Sequence, residues 1–332
     1  AFERQTSSGG SIMSQLSRRS ILGAFLAAPL AAPAFAQPWR PDRPVELVVG
    51  FAPGGGTDIV ARLFARHLET RLGQPITVVN RPGASSEVAL TYVARSRPDG
   101  QVLGLTNMPS FVTVPVERRA QYNLDSFGFI GNIMTDPTGL IVRADSPIRD
   151  VQDLVRRALA DPEGIVVSTS GIGTDDHLMM AQISRLTGAR FTLIHYTGAP
   201  IQRTALISGQ VQANCVSIGE YAPNPDGVRF IAHGGAERSR FAPETPTFKS
   251  LGLDFEMYSE RGLVVPSNTP SRILERLRDA VQEAASDPAT RRSFEAQFIE
   301  PTLEPGAQWE ARMRATQTQY ADLWRRAPWI NT

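Results

Sequence analysis

Twice in this chain an apolar strand runs into a glycine-rich turn and passes directly into a helix. The first passage is Val45–Phe51, then Ala52-Pro53-Gly54-Gly55-Gly56-Thr57, then a helix from Asp58. The second is Ile165–Ser168, then Thr169-Ser170-Gly171-Ile172-Gly173-Thr174, then a helix through His177. Few architectures accommodate this pattern. Near-continuous apolar strands alternating with helices require a parallel sheet covered on both faces. The glycines leave no side chains at the turn, and the helix behind them offers free N–H groups and the positive end of its dipole. Such a turn is either a seat for an anion or a tight strand-to-helix connection with no ligand.

The flanking segments extend the pattern. Ile59, Val60, Leu63, Phe64, Leu68 and Leu72 recur at helical spacing, and Gly73 and Pro75 end that helix. Strands are expected over 76–80 and 102–106, with a helix over 87–95 between them. Phe127–Ile133 and Leu140–Arg143 read as two strands broken by Thr135-Asp136-Pro137-Thr138. Asp150 is placed to cap the helix that follows. Further strands are expected over 191–196, 211–217 and 229–233, with a helix over 201–208. Pro270, at the first helical position, and Pro305 start two C-terminal helices; Trp309, Met313, Tyr320 and Trp324 on the last are packing residues. Ligands bind outside the carboxyl ends of strands in open α/β sheets. Thr57, Ser85 and the stretch Asn107-Met108-Pro109-Ser110 should therefore share an edge with the triple glycine. Two such units describe two lobes around a cleft, and one continuous doubly wound sheet would give the same string of elements.

The first 36 residues read differently. Arg18 and Arg19 precede a small apolar run from Ile21 to Ala32, and Ala34-Phe35-Ala36 is a cleavage signal before Gln37. This is the pattern of a secretory signal peptide, with residues 1–12 an extension ahead of Met13. The paired arginines resemble a twin-arginine signal, and general secretory export stays open. Removing Arg4, Arg18, Arg19 and Glu3 leaves 31 basic against 32 acidic residues, or −1. A chain so balanced is not built for nucleic acid. Cys215 is the single cysteine, so no internal disulfide is available, and its apolar strand points to a buried, inert thiol.

Catalytic patterns are sparse. The glycine run lacks the lysine and hydroxyl residue of a nucleotide-binding loop, and neither turn carries the full dinucleotide fingerprint. No nucleophile-elbow pentapeptide occurs. The histidines, His67, His177, His195 and His233, form no zinc-binding pair, so neither metal nor cofactor is expected. An exported hydrolase using His177 with Thr174 or Ser168 is the catalytic alternative.

Several motifs together resemble the Bug/TctC family, the periplasmic solute receptors of tripartite tricarboxylate transporters. They are Pro53–Asp58, Asn80-Arg81-Pro82-Gly83-Ala84, Arg97-Pro98-Asp99-Gly100, Gly171–Thr174 with His177, and His195-Tyr196-Thr197-Gly198. Gly209-Gln210-Val211, Pro243–Thr247, Arg261–Pro266 and Asn268-Thr269-Pro270 complete the set. The resemblance covers essentially the whole chain after the leader. It implies two doubly wound α/β lobes of the type II binding-protein kind, closing on a small carboxylated solute. Carried over by motif, lobe one supplies Phe51, Pro53, Gly54, Gly55, Gly56, Thr57 and Asp58, and lobe two supplies Ser168, Gly171, Gly173, Thr174 and His177. Ser85, Met108, Thr197 and Arg261 complete the candidate site. Ser85-Ser86 stand where the family usually has two glycines, Thr197 where it has lysine, and Gln212-Ala213-Asn214 where it has an aspartate. The lost acid and Arg261 both favour an anionic ligand, although Arg261 has an alternative as a surface partner of Glu260 or Glu256.

The expected organisation is thus a leader over 1–36, lobe one from 37–135 plus 256–332, and lobe two from 136–255. The expected function is a periplasmic, monomeric receptor that captures a dicarboxylate or aromatic carboxylate and delivers it to membrane transporter subunits. A ligand-sensing receptor for a sensor kinase is a further alternative.

Overall fold

The computed structural model describes residues 39–329, and the signal-peptide assignment falls on residues outside that range. Along the chain the elements are β1 (Val45–Val49), α1 (Gly56–Leu72), β2 (Ile76–Asn80), α2 (Glu87–Arg95), β3 (Val102–Leu105), α3 (Ser110–Glu117) and β4 (Phe127–Arg143). Then come α4 (Val151–Ala160), β5 (Val166–Thr169), α5 (Asp175–Thr187), β6 (Thr192–His195), α6 (Ala199–Ile207), β7 (Ala213–Ser217), α7 (Ile218–Tyr221) and β8 (Val228–His233). The chain closes with β9 (Tyr258–Pro266), α8 (Ser271–Ser286), α9 (Pro288–Glu295), β10 (Pro301–Pro305) and α10 (Gly306–Arg326). Among the described residues no helix is long and apolar enough to cross a membrane.

The strands lie in the order β2-β1-β3-β9-β4-β7-β5-β6, with β8 and β10 also paired to β4. The two ends of this path are alike. At one, β2, β1 and β3 are parallel and β9 is antiparallel to β3; at the other, β6, β5 and β7 are parallel and β4 is antiparallel to β7. These are the two doubly wound halves, and β4 runs through both. It pairs with β9 as far as Pro137↔Tyr258 and with β7 from Thr138↔Ser217 onward.

That crossing explains why two strands were expected over 127–143 where there is one. Thr135–Thr138 has turn composition, and proline cannot donate to a ladder. Pro137 stands where one set of partners ends and the next begins, so its missing N–H interrupts nothing. Elsewhere the differences are local. Helix α1 starts at Gly56 rather than Asp58, and Pro270 is the N-cap of α8 rather than its first residue. Helix α3 is buried all round from Ser110 to Val114, so its period is not marked by an exposed polar face.

Alternation along the strands builds the cores. In β1, Leu47 and Val49 face a cluster with Val60, Phe64 and Leu68 of α1 and Leu277 and Val281 of α8, while Val48 faces Leu90, Phe111 and Trp309 on the other side. In β4 the same alternation sends Leu140 and Val142 toward α4 and α5, and Ile141 toward Leu206 and Tyr221. Each such large apolar side chain contributes roughly 1.5–3 kcal/mol when fully buried. Helix α10 spans the two halves. Trp309 and Met313 join the first half's core, whereas Tyr320, Leu323 and Trp324 pack on the second's. The last helix is therefore a second link beside the crossing strands.

Candidate functional site

Strand β1 delivers the triple glycine to the sheet edge, and the three glycines serve different ends. Gly54 adopts φ +79°, a conformation that costs a residue with a side chain energy. Gly55 is the N-cap of α1 at φ −79°, an ordinary extended angle. A Cβ on Gly56 would lie 2.2 Å from Glu220 Oε1, so this position is glycine for space. No side chain caps α1, whose N-terminal N–H groups are left to partners from elsewhere. The Gly56 N–H donates to Glu220 Oε1 over 2.9 Å, from α7 of the other half.

Beneath this seat lies Arg261 of β9, only 2% exposed. Its Nε donates to Thr57 Oγ1 at 3.2 Å, Nη1 to the sulfur of Met134 at 3.2 Å, and Nη2 reaches Glu220 Oε1 at 3.5 Å. The Thr57 hydroxyl in turn donates to Asn107 Oδ1 at 2.7 Å. The surface-pair alternative is thereby resolved: Glu260 is held by Arg312 and Glu256 by Lys249. Buried carboxylates gather nearby. Asp175 and Asp176, at the start of α5, line the same space as Glu220, and Asp136 lies behind, accepting from Gly219 N–H at 2.9 Å. The acid that seemed lost at 212–214 is thus supplied from other elements. Burial, more than any partner, pushes the Asp136 carboxyl up to about 8 and Asp175 to about 6, and raises Asp176 well above the usual range. Burial thus shifts all three toward the protonated form, Asp136 and Asp176 more than Asp175.

Two spaces open here, with Phe51 and Ser170 in the lining of both. The narrow one, about 20 Å³, is bounded by Gly55, Gly56, Thr57, Asn107, Glu220 and Arg261 among others. The larger, about 300 Å³, is bounded by Gly50, Ser85, Arg118, Gly171, Tyr196 and Thr197 among others. It has the size of a small-molecule pocket. Hydrogen bonds cross the cleft around it: Ala52 N–H to Thr197 O at 3.1 Å, Ser85 Oγ to Ile172 O at 2.7 Å, and Thr113 Oγ1 to Gly173 O at 2.7 Å. The two halves are closed on each other.

Of the residues singled out from sequence, Phe51, Gly55, Gly56, Thr57, Ser85, Gly171, Thr197 and Arg261 border these spaces. The others do not. Pro53 and Gly54 face solvent on the turn. Asp58 braces it, accepting from Gly54 N–H, Arg62 and Asn80. Met108 is buried in the core with Phe111 and Trp309; its neighbour Asn107 takes the edge position instead. Ser168 donates to Asn214 Oδ1 at 2.7 Å within a fully buried pair. Thr174 caps α5, accepting from His177 N–H and donating to Gly171 O. Gly173 donates its N–H to His177 Nδ1 at 3.1 Å, which leaves His177 without a hydroxyl to activate on that nitrogen. Burial pushes the His177 imidazole down to about 4, keeping it neutral. Among the described residues, no group of three or more His, Cys, Asp or Glu is disposed to hold a metal ion. Cys215 is fully buried and its thiol pushed up by burial.

Sequence reasoning missed Glu220, Asp175, Asp176, Gln202 and Arg118. Ser217 and Glu220 do have a local signature, the capping box of α7, in which Glu220 Oε2 accepts from Ser217 N–H at 3.3 Å. Asp175 and Asp176 read as ordinary first-turn acids.

The profile of the tripartite tricarboxylate transporter family receptor matches residues 60–323. The chain belongs to this family. A relative from Cupriavidus necator, the UPF0065 protein in gbd 5'region, is 33% identical over 291 residues, which is 86% of this chain and 88% of that protein. Among solved structures, the periplasmic binding protein BugD superposes with a TM-score of 0.81 at 27% identity, covering 86% of this chain and 98% of BugD. MatC from Rhodopseudomonas palustris with bound malate gives 0.80 at 26% identity, covering 85% and 99%. The fold is that of these two-lobed binding proteins.

Proposed function

We propose that this protein is an extracytoplasmic receptor that captures a small carboxylate between its halves and hands it to a tripartite tricarboxylate-type membrane transporter. The observation that carries the reading is the uncapped N-terminus of α1 set over the buried Arg261, at the end of a cavity between the halves. Backbone N–H groups and a guanidinium recognise a carboxylate with charge-assisted hydrogen bonds. Malate bound to MatC supports a carboxylate as ligand. In this reading the head of the ligand lies against Gly55–Thr57 and Arg261, and its body extends past Phe51 and Ser170 into the larger space, toward Ser85, Gly171 and Thr197. Lobe one is 37–135 plus 256–332 and lobe two 136–255, hinged on β4 and β9, and the leader over 13–36 directs export.

Binding to the native state raises stability by RT ln(1 + [L]/Kd), or about 2.7–4.1 kcal/mol at 100–1,000-fold excess over Kd. A thermal melt of protein refolded free of ligand, screened over mono-, di-, tri- and aromatic carboxylates, should show such a shift for one class. A melt unmoved by every member of the panel would defeat the carboxylate reading.

A further inference from the structure

The seat at α1 already holds a carboxylate, and it belongs to the protein. Glu220 Oε1 accepts the Gly56 N–H at 2.9 Å and is the carboxylate nearest the Arg261 guanidinium, at 3.5 Å. The space left beside it, about 20 Å³, admits roughly one water molecule and not a carboxylate. Arg261 is meanwhile poorly served. It has five N–H donors, yet its named acceptors are one hydroxyl, one thioether sulfur and the Glu220 oxygen at long range. A guanidinium buried to this degree is costly without strong acceptors, and a bidentate carboxylate is the acceptor its fork fits. Glu220 offers the guanidinium only Oε1, at 3.5 Å, while its Oε2 accepts the Ser217 N–H at the N-terminus of its own helix.

We propose that Glu220 is an internal competitor for the seat: it joins the two halves across the closed cleft, and a ligand's leading carboxylate must displace it. This rests on the carboxylate-receptor reading for what displaces it, but not for the contact itself. The apparent affinity of such a site is lowered by the fraction of molecules in which the seat is taken. Glu220 thereby sets a threshold that favours ligands able to engage Arg261 with both oxygens of one carboxylate over those offering a single acceptor.

Two measurements test this. In ligand-free protein, amide exchange at Gly56, followed by NMR, should be about tenfold faster in Glu220→Ala than in wild type, because the N–H loses its acceptor. By calorimetry, Glu220→Gln should bind malate or adipate about tenfold more tightly than wild type, with Glu220→Asp, too short to span the gap, shifting the same way. Unchanged Gly56 exchange in Glu220→Ala overturns the proposal. So does probe binding that is equal or weaker in Glu220→Gln, and the receptor reading then survives. Faster exchange with no member of the mono-, di-, tri- and aromatic carboxylate panel bound by any variant overturns the competition, leaving only the internal contact, and removes the carboxylate reading with it.

Discussion

The two glycine-rich turns look like copies in sequence and behave as opposites in structure. At the first, the N-cap of α1 is Gly55, with no side-chain cap, and the Gly56 N–H looks outward to an acceptor 164 residues away. At the second, α5 satisfies itself. Thr174 accepts from His177 N–H, the His177 ring accepts from Gly173 N–H at 3.1 Å, and Asp176 accepts from Ser170 N–H at 2.9 Å. The first turn keeps its dipole end available and puts a buried arginine beneath it. The second spends its donors internally and adds two aspartates. A glycine run before a helix is therefore an anion seat only where the cap position brings no acceptor of its own. Only one of the two turns meets that condition, so in the proposed reading the carboxylate grip is asymmetric, with the second turn lending shape through Gly171 and Ile172 rather than charge.

The harshest test of this asymmetry is Arg261→Ala. It removes the cation that distinguishes the first turn and leaves Glu220 and Asp136 without it. Affinity for the carboxylate found in the melt should fall by at least 100-fold, about 3 kcal/mol, and ligand-free stability should fall by a similar amount because buried acids are left unpaired. Urea denaturation and calorimetry report the two losses separately. Wild-type affinity would mean that the anion is held elsewhere in the cleft.

Next in size is Gly55→Val. The backbone at Gly55 is in an ordinary extended region, and a Cβ there meets nothing closer than Ala52 O at 3.3 Å, so the fold should tolerate it with a loss of about 1 kcal/mol. The branched side chain would nevertheless stand at the mouth of the seat, and binding should become undetectable by calorimetry. Retained affinity would show that the triple glycine serves only the turn.

Much of the fold was legible in advance, and what was not has physical causes. The strand-turn-helix units, the helix end at Gly73 and the cap at Asp150 all depend on neighbours within a few residues, so local pattern suffices. Helix α3 and the continuity of β4 depend on what covers them. Residues 110–114 are buried on every side, packed with Phe127, Phe129 and Trp309, and Thr135–Thr138 stays extended because β9 and then β7 pair with it. The site divides the same way. Gly55, Gly56 and Thr57 announce themselves by composition. Glu220 does not, because its short-range role as a helix cap fully accounts for a Ser-x-x-Glu pattern, and its second partner is brought to it only by closure of the cleft. Asn214 shows the converse: its departure from the family pattern looked like a charge removed from the cleft, but the side chain is buried, bonded to Ser168, Gln202 and Tyr221.

The smallest effect bears most directly on the comparison. If the second turn is self-capped, Thr174→Ala removes the acceptor for His177 N–H and the donor to Gly171 O, and nothing else at the seat. Loss of an N-cap hydroxyl costs about 1 kcal/mol, so the melt should drop by a few degrees. Carboxylate affinity should stay within about twofold of wild type, since the Thr174 hydroxyl lies outside both spaces and has spent its donor on Gly171. A tenfold or larger fall in affinity would place the Thr174 hydroxyl on the ligand and restore the symmetric grip that the two sequences suggest. A stability loss alone would confine charge recognition to α1 and Arg261, with α5 serving as the wall against which the ligand is pressed.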